Sequence, residues 1–117
     1  ALALSTDSSA LTAIANDAGF EAVFARQVEA LARPADALIA ISTSGGSPNV
    51  LRAASTARAL GCAVVGLTGE GGGALGELCD LLLAVPSRDV ARIQEMHGLC
   101  LHALAEALEA GFAGVSP

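Results

Sequence analysis

The sequence predicts an α/β domain in which a parallel sheet is flanked by helices in three layers, a Rossmann-like arrangement. Two observations lead to this prediction. Short, continuously apolar segments of strand length alternate along the chain with longer segments of helical periodicity. The apolar segments also lack the polar alternation of a strand with one face in water, which is typical of strands buried on both faces. The 117 residues are interpreted as one domain, 1–117, without an internal repeat or linker.

Glycine and proline residues place the boundaries between these elements. Gly19 separates the first two helices, and Pro34 closes the second. Ser47 and Pro48 are the residue types favoured at the N-cap and first position of a helix, and Gly61 is the type favoured just after its end. In order, the predicted elements are a strand at 1–4, helices at 8–16 and 20–32, a strand at 37–41, a helix at 48–60, a strand at 63–67, a short helix at 75–79, a strand at 81–85 and a long helix at 88–110.

The strand at 37–41 leads directly into four hydroxyl side chains and two glycines before the next helix begins. Glycines allow backbone N–H groups to approach an anion, the helix N-terminus adds a positive dipole end, and hydroxyls donate hydrogen bonds. We interpret this stretch as a phosphate-binding loop, with a solvated serine-rich turn as the alternative. The absence of lysine excludes a Walker loop. The candidate ligands are Ser42, Thr43, Ser44 and Ser47.

Two further features are interpreted as structural on local sequence alone. The glycine run at 69–73 is predicted to be a mobile surface loop without a ligand. Asn16 and Asp17 lie at a predicted helix end, where these residue types commonly cap the helix or turn the chain.

The last predicted helix is apolar around well over half of its circumference, which indicates a buried helix. A narrower polar sector contains Gln94 and His102, about 12 Å apart along the helix axis. This sector is either the wall of a pocket or a solvated stripe in which Glu106 pairs with His102. His97 lies toward the apolar side and is predicted to pack in the core or in an interface.

Composition excludes several classes of function. A net charge of −6 argues against nucleic-acid binding, which requires a basic surface. The apolar runs are too short to span a membrane. All six basic residues are arginines, so the chain has no lysine for a Schiff base. The hydrophobic content of 53% predicts subunit contacts. Three cysteines without CxxC spacing indicate a reducing compartment, with the cytosol as the default.

Several motifs together resemble the sugar isomerase (SIS) domain family and, within it, the phosphoheptose isomerases. The resemblance extends over the whole chain, and it depends on the order and spacing of the motifs more than on any single one. The motifs are Asn16-Asp17, Ser42-Thr43-Ser44-Gly45 with Ser47, Gly66-Leu67-Thr68-Gly69, and Arg92-Ile93-Gln94-Glu95 with His97 and His102.

This resemblance implies an enzyme that converts sedoheptulose 7-phosphate into D-glycero-D-manno-heptose 7-phosphate in heptose biosynthesis. It places the sugar phosphate on the loop that contains Ser42, Thr43, Ser44 and Ser47, which we call the serine loop. It also makes Asn16 and Asp17 lining residues of the substrate pocket. It further implies that Gln94 and His102 bind zinc and substrate, with His102 as the catalytic histidine. A cytoplasmic homotetramer is expected.

The chain departs from the family pattern at its start. Family members begin with a helix, a strand, a first phosphate loop, and a helix that carries the catalytic glutamate and another zinc-ligand histidine. None of these parts precedes Ala1, so the chain resembles the larger C-terminal part and is expected to lack its general base. Two non-catalytic types of SIS protein remain alternatives: one that associates with the replication initiator DnaA, and a regulator that senses sugar phosphates. The first type generally carries Asn where His102 stands, so His102 favours the enzyme.

Overall fold

The computed structural model describes residues 1–114, which form a three-stranded sheet with helices packed against it. This architecture confirms the predicted α/β class and the alternation of strands and helices from the first third of the chain onward. The elements are α1 (Ser8–Ala18), a 3-10 turn (Phe20–Ala22), α2 (Val23–Leu31), β1 (Ala37–Ser42), α3 (Pro48–Ala59), β2 (Ala63–Thr68), α4 (Gly73–Gly76), β3 (Leu81–Ala84) and α5 (Val90–Phe112).

The sheet is parallel throughout, in the order β1-β2-β3. Ser42 at the end of β1 is paired with Thr68 at the end of β2, and Thr68 is paired with Ala84 at the end of β3. The three strands therefore end in line, and the loops that follow them meet at one edge. In α/β folds this is the edge at which ligands bind.

Helices α3 and α4 pack against one face of the sheet, α2 packs against α3, and the hydrophobic core lies between these elements. Helix α3 contributes three buried alanines, Ala53, Ala54 and Ala57, whose small side chains let the helix lie close to the sheet. Val64 of β2 and Leu75 of α4 are fully buried in the same cluster. The loop between β1 and α3 is therefore held at both ends by well-packed elements.

The opposite face of the sheet is largely uncovered within residues 1–114, so the prediction of strands buried on both faces is wrong for this part of the protein. Side chains alternate between faces along a strand. On the open face, Ile41 of β1 is 43% exposed and Leu81 of β3 is 64% exposed. Near the end of β2, α5 covers this face, since Leu67 of β2 and Ile93 of α5 are buried there. The described residues thus cover only part of the apolar surface of β1. One edge of β1 also has no partner strand among them.

The predicted strand at residues 1–4 is also wrong. Leu4 lies in a turn, where its carbonyl oxygen accepts a hydrogen bond from Gln27 Nε2 at 3.0 Å and its side chain packs against the core cluster. Thr6 Oγ1 donates to the Ala3 carbonyl oxygen at 2.9 Å. Four apolar residues are too few to distinguish a strand from a segment that packs on a helix.

Helix α5 is attached by a narrow stripe, so the prediction of a buried helix is wrong for the described chain. Its buried side chains are Ile93 and His97, which lie one turn apart. Leu99 and Phe112 are 61% and 71% exposed. Most of the apolar surface of α5 therefore faces away from the rest of residues 1–114. Within those residues, no helix combines the length and apolarity that a membrane crossing requires.

The three cysteines form no disulfide with one another. Cys62 is buried, and Cys79 and Cys100 are half-buried. Burial raises the pKa of the Cys79 thiol, and the neighbouring Asp80 carboxylate raises it further. The thiol therefore stays protonated at neutral pH and packs as a small hydrophobic group.

Candidate functional site

The loop between β1 and α3 gathers three of its four predicted hydroxyls. Ser42 Oγ lies 2.9 Å from Ser47 Oγ and 3.5 Å from Ser44 Oγ, and Ser42 itself is 5% exposed. Gly46 N–H donates to Ser44 Oγ at 3.2 Å, which holds that hydroxyl over the loop. Thr43 contributes differently, since its carbonyl oxygen accepts from Gly69 N–H and no described hydrogen bond joins its hydroxyl to the other three. We call Ser42, Ser44 and Ser47 the hydroxyl cluster.

The start of α3 leaves backbone donors available beside this cluster. Ser47 is the N-cap and Pro48 the first helical residue, as the sequence predicts, but the Ser47 hydroxyl bonds to Ser42 instead of capping the helix. Within residues 1–114, the amides of Ser44, Ser47 and Asn49 make no hydrogen bond. Unpaired amides at a helix N-terminus bind anions, because their N–H groups and the helix dipole point outward.

The glycine run at 69–73 is the wall behind this loop, and its prediction as a free surface loop is wrong. Gly69 N–H donates to the Thr43 carbonyl oxygen at 2.9 Å, and Leu75 N–H donates to the Gly45 carbonyl oxygen at 2.9 Å. Gly45 has φ +64°, and a Cβ there would lie 2.1 Å from the Gly72 carbonyl oxygen. The two loops can approach this closely because neither has side chains at the contact.

A signal for this contact was present in the sequence. Both glycine-containing loops follow strands that are predicted to be parallel neighbours, and the loops after such strands emerge at one edge. Outside the contact, Glu70 and Arg88 form an ion pair that links the glycine run to the segment before α5. The glycine run is therefore held from two sides.

Gln94 and His102 lie on the exposed part of α5. The ion pair between Glu106 and His102 that the solvated-stripe alternative requires is not formed among residues 1–114, where the pair on this helix is Arg92 with Glu95 at 2.7 Å. Neither Gln94 nor His102 has a polar partner in that part of the chain. Both side chains are thus free to meet a ligand or a further part of the protein.

The described residues do not complete a zinc site. Catalytic zinc takes three protein ligands and structural zinc takes four. Gln94 and His102 offer two donors on one helix, and residues 1–114 contain no group of three or more His, Cys, Asp or Glu side chains that could hold a metal ion. Any such site requires ligands beyond this part of the chain.

Asn16 and Asp17 lie within the last turn of α1 and not at its cap, which is Gly19. Asn16 Nδ2 donates to Asp17 Oδ1 at 2.9 Å, and both side chains are exposed. The prediction that they cap the helix is therefore wrong. Their exposure leaves them available to a ligand.

His97 packs in the interior, which confirms its sequence-based interpretation. It is 4% exposed, and its Nε2 lies 2.9 Å from the Thr68 carbonyl oxygen. This contact joins α5 to the end of β2.

Comparison with known proteins identifies relatives over most of the chain. A family model described as the SIS domain matches residues 1–69. The phosphoheptose isomerase of Trichlorobacter lovleyi is 53% identical over 115 residues, covering 98% of this chain and 59% of that protein. The phosphoheptose isomerase of Campylobacter concisus is 56% identical over 113 residues, covering 97% of this chain and 60% of that protein. The chain therefore spans about three fifths of the length of the curated relatives it matches.

Two solved structures show the same fold. A phosphoheptose isomerase from Francisella tularensis superposes with a TM-score of 0.87 at 44% identity, covering 90% of this chain and 56% of that one. The phosphoheptose isomerase from Neisseria gonorrhoeae gives a TM-score of 0.89 at 49% identity, with 91% of this chain and 60% of that one covered. Nearly the whole chain is thus similar to these structures in both sequence and fold.

Proposed function

This chain belongs to the SIS domain family, and from that membership we propose that it forms the phosphosugar-binding part of a phosphoheptose isomerase. The proposed reaction converts sedoheptulose 7-phosphate into D-glycero-D-manno-heptose 7-phosphate. The observation that carries the proposal is the hydroxyl cluster beside unpaired amides at the N-terminus of α3. These groups offer several hydrogen-bond donors to one anion.

The phosphate would be bound without a charged side chain from the loop. Hydroxyls of Ser44 and Ser47 and the amide of Asn49 can each donate to a phosphate oxygen, and the dipole of α3 favours negative charge at that point. The backbone contact with the glycine run fixes the loop before the ligand arrives. Binding therefore costs little reordering, and the reacting end of the sugar is held at a defined distance from the phosphate.

Ketose-to-aldose conversion moves two protons within the substrate. A base removes a proton from C1 and delivers one to C2, while an acid exchanges protons with the oxygens at C1 and C2 as the enediol forms and collapses. We assign the acid role to His102, because an imidazole can both donate and accept a proton and this one has no polar partner in the described chain. The base would come from the part of the protein beyond residues 1–114.

We also propose zinc as the metal of the whole-length protein, with Gln94 and His102 among its ligands. When bound, the ion would polarise substrate oxygens and stabilise enediolate charge. Asn16 and Asp17 are proposed to line the sugar pocket through their exposed side chains. Free cysteines agree with a cytoplasmic location.

The proposal is tested with the complete gene product and purified sedoheptulose 7-phosphate. We expect isomerisation that a metal chelator lowers and that added zinc restores. A protein that binds the sugar phosphate without converting it would instead be a non-catalytic SIS protein. The observation that favours this second candidate is that, within residues 1–114, no carboxylate forms an ion pair with His102.

Replacing Ser44 by alanine is expected to weaken sugar-phosphate binding while preserving the fold. Ser44 is exposed, and its hydroxyl both joins the cluster and accepts from Gly46 N–H. Loss of a hydrogen bond to a charged group costs about 1.5–3 kcal/mol. The Michaelis constant should therefore rise about 10-fold or more, as measured beside Ser55→Ala, which removes an exposed hydroxyl from the middle of α3. Equal constants for the two variants would make the loop purely structural.

We propose that the whole-length protein forms a homotetramer through exposed apolar side chains of α5. Leu108 and Phe112, one turn apart on the helix, contribute to this surface, and exposed apolar side chains of this kind are typical of subunit contacts. Leu108→Glu should dissociate the assembly, because it would bury an unpaired charge. Light scattering would show this, with Glu109→Lys as the control on the polar sector. A stable wild-type monomer at micromolar concentration would contradict the proposal.

A further inference from the structure

His97 connects α5 to the serine loop by a short path of hydrogen bonds. Its Nε2 lies 2.9 Å from the Thr68 carbonyl oxygen, and since a carbonyl only accepts, Nε2 is the donor. The next residue, Gly69, donates its N–H to the Thr43 carbonyl oxygen at 2.9 Å. Two hydrogen bonds and one peptide unit thus separate α5 from the loop that precedes α3.

Few side chains of α5 pack against the rest of the described chain, so the hydrogen bond from His97 has a large effect on the position of the helix. The buried side chains of α5 are Ile93 and His97. Ile93 packs over Gly69, where an added Cβ would lie 2.6 Å from Ile93 Cδ1. An apolar contact of this kind sets the distance between helix and sheet but tolerates sliding and rotation. The His97 hydrogen bond is directional, so it fixes both.

We propose that His97 is a positioning residue, which sets the rotation and axial position of α5 so that Gln94 and His102 face a sugar whose phosphate lies on the serine loop. Gln94 precedes His97 by three residues and His102 follows it by five, so a rotation at His97 moves both. This inference rests on the proposed isomerase function. In this role His97 contacts neither substrate nor metal but controls the alignment of the residues that do.

The surroundings of His97 indicate that this role is separable from stability. The Thr68 carbonyl oxygen also accepts from Val85 N–H at 3.0 Å, so it stays paired when the histidine is removed. His97 Nδ1 is buried and has no hydrogen-bond partner within residues 1–114. Replacement by an apolar side chain therefore removes one hydrogen bond and one unpaired buried nitrogen together, and these effects on stability oppose each other.

The test compares three variants of the complete gene product: His97→Leu, His97→Gln and His97→Asn. Leucine fills the space without a donor, glutamine carries an amide donor at a reach similar to Nε2, and asparagine carries the same donor one methylene shorter. Small displacements of catalytic groups cost about 10–100-fold in rate. We expect His97→Leu to lower kcat by that factor, with the Michaelis constant and the thermal midpoint near wild type. Glutamine should restore most of the turnover, and asparagine should not.

The possible results separate this inference from the proposed function. Wild-type protein without turnover would remove the isomerase function and this inference with it. Wild-type turnover that His97→Leu retains within twofold would overturn the inference alone, as would equal kcat values for the glutamine and asparagine variants. If His97→Leu does not fold, the kcat values of His97→Gln and His97→Asn still test the inference, because both variants keep a polar amide and differ only in the length of the side chain.

Discussion

His102→Asn is expected to abolish most turnover while leaving sugar-phosphate binding intact. Asparagine keeps a polar side chain of smaller size but cannot exchange a proton near pH 7. Loss of general acid-base catalysis lowers rates by about 10²–10⁴-fold. The serine loop lies on other elements, at the start of α3, so it should hold the phosphate as before. Turnover and calorimetric binding of sedoheptulose 7-phosphate, measured on the same preparations, test both parts.

A control for this variant is Glu106→Gln on the same helix. Glu106 is exposed and forms no ion pair with His102 among the described residues, so its charge is not expected to matter to the reaction. Near-normal turnover in His102→Asn would remove this histidine from the mechanism. Loss of both turnover and binding would place it in substrate binding instead of proton transfer.

Gly45→Ala is expected to destabilise the protein and to disrupt the serine loop. Gly45 has φ +64°, where an L-residue costs about 1–2 kcal/mol, and the new Cβ would lie 2.1 Å from the Gly72 carbonyl oxygen. The neighbouring atom is backbone, so relief requires the glycine run to move. We expect a total cost of about 3 kcal/mol or more, since the overpacking adds to the strain, and a large loss of phosphate affinity.

The adjacent glycine provides a matched control. Gly46 is not among the glycines with positive φ, and an added Cβ would meet Ser44 Oγ at 3.7 Å, an ordinary contact. Gly46→Ala should therefore keep both stability and binding close to wild type. Chemical denaturation and phosphate binding, measured for both variants, distinguish a steric effect at Gly45 from a general intolerance of the loop. Wild-type behaviour of Gly45→Ala would show that the two loops are not in close contact.

Local sequence patterns predict the elements that local physics determines. The strand at 37–41, the Ser47-Pro48 helix start and the helix at 48–60 could be predicted because residue type and spacing act within a few residues. The same reasoning fails at residues 1–4. There, a short apolar segment has two ways to be buried, and the choice depends on the distant side chain of Gln27.

The candidate site shows the same division. The clustering of Ser42, Ser44 and Ser47 follows from a tight turn between a strand and a helix, so one segment predicts it. The wall formed by the glycine run depends on the pairing of β1 with β2, which no single segment encodes. Burial of α5 depends on surfaces beyond the described residues, and for this reason the periodicity of α5 predicted its apolar character but not its exposure.

The unpartnered edge of β1 has a practical consequence for handling this polypeptide. An edge strand presents a row of free N–H and C=O groups, which can template the addition of a strand from another molecule. Here the edge belongs to an apolar run in which Ile39 and Ile41 are exposed and no lysine or proline interrupts the strand. A preparation restricted to these 117 residues is therefore prone to aggregate through β1, and adding a lysine in place of Ile39 would be the first remedy for its solubility.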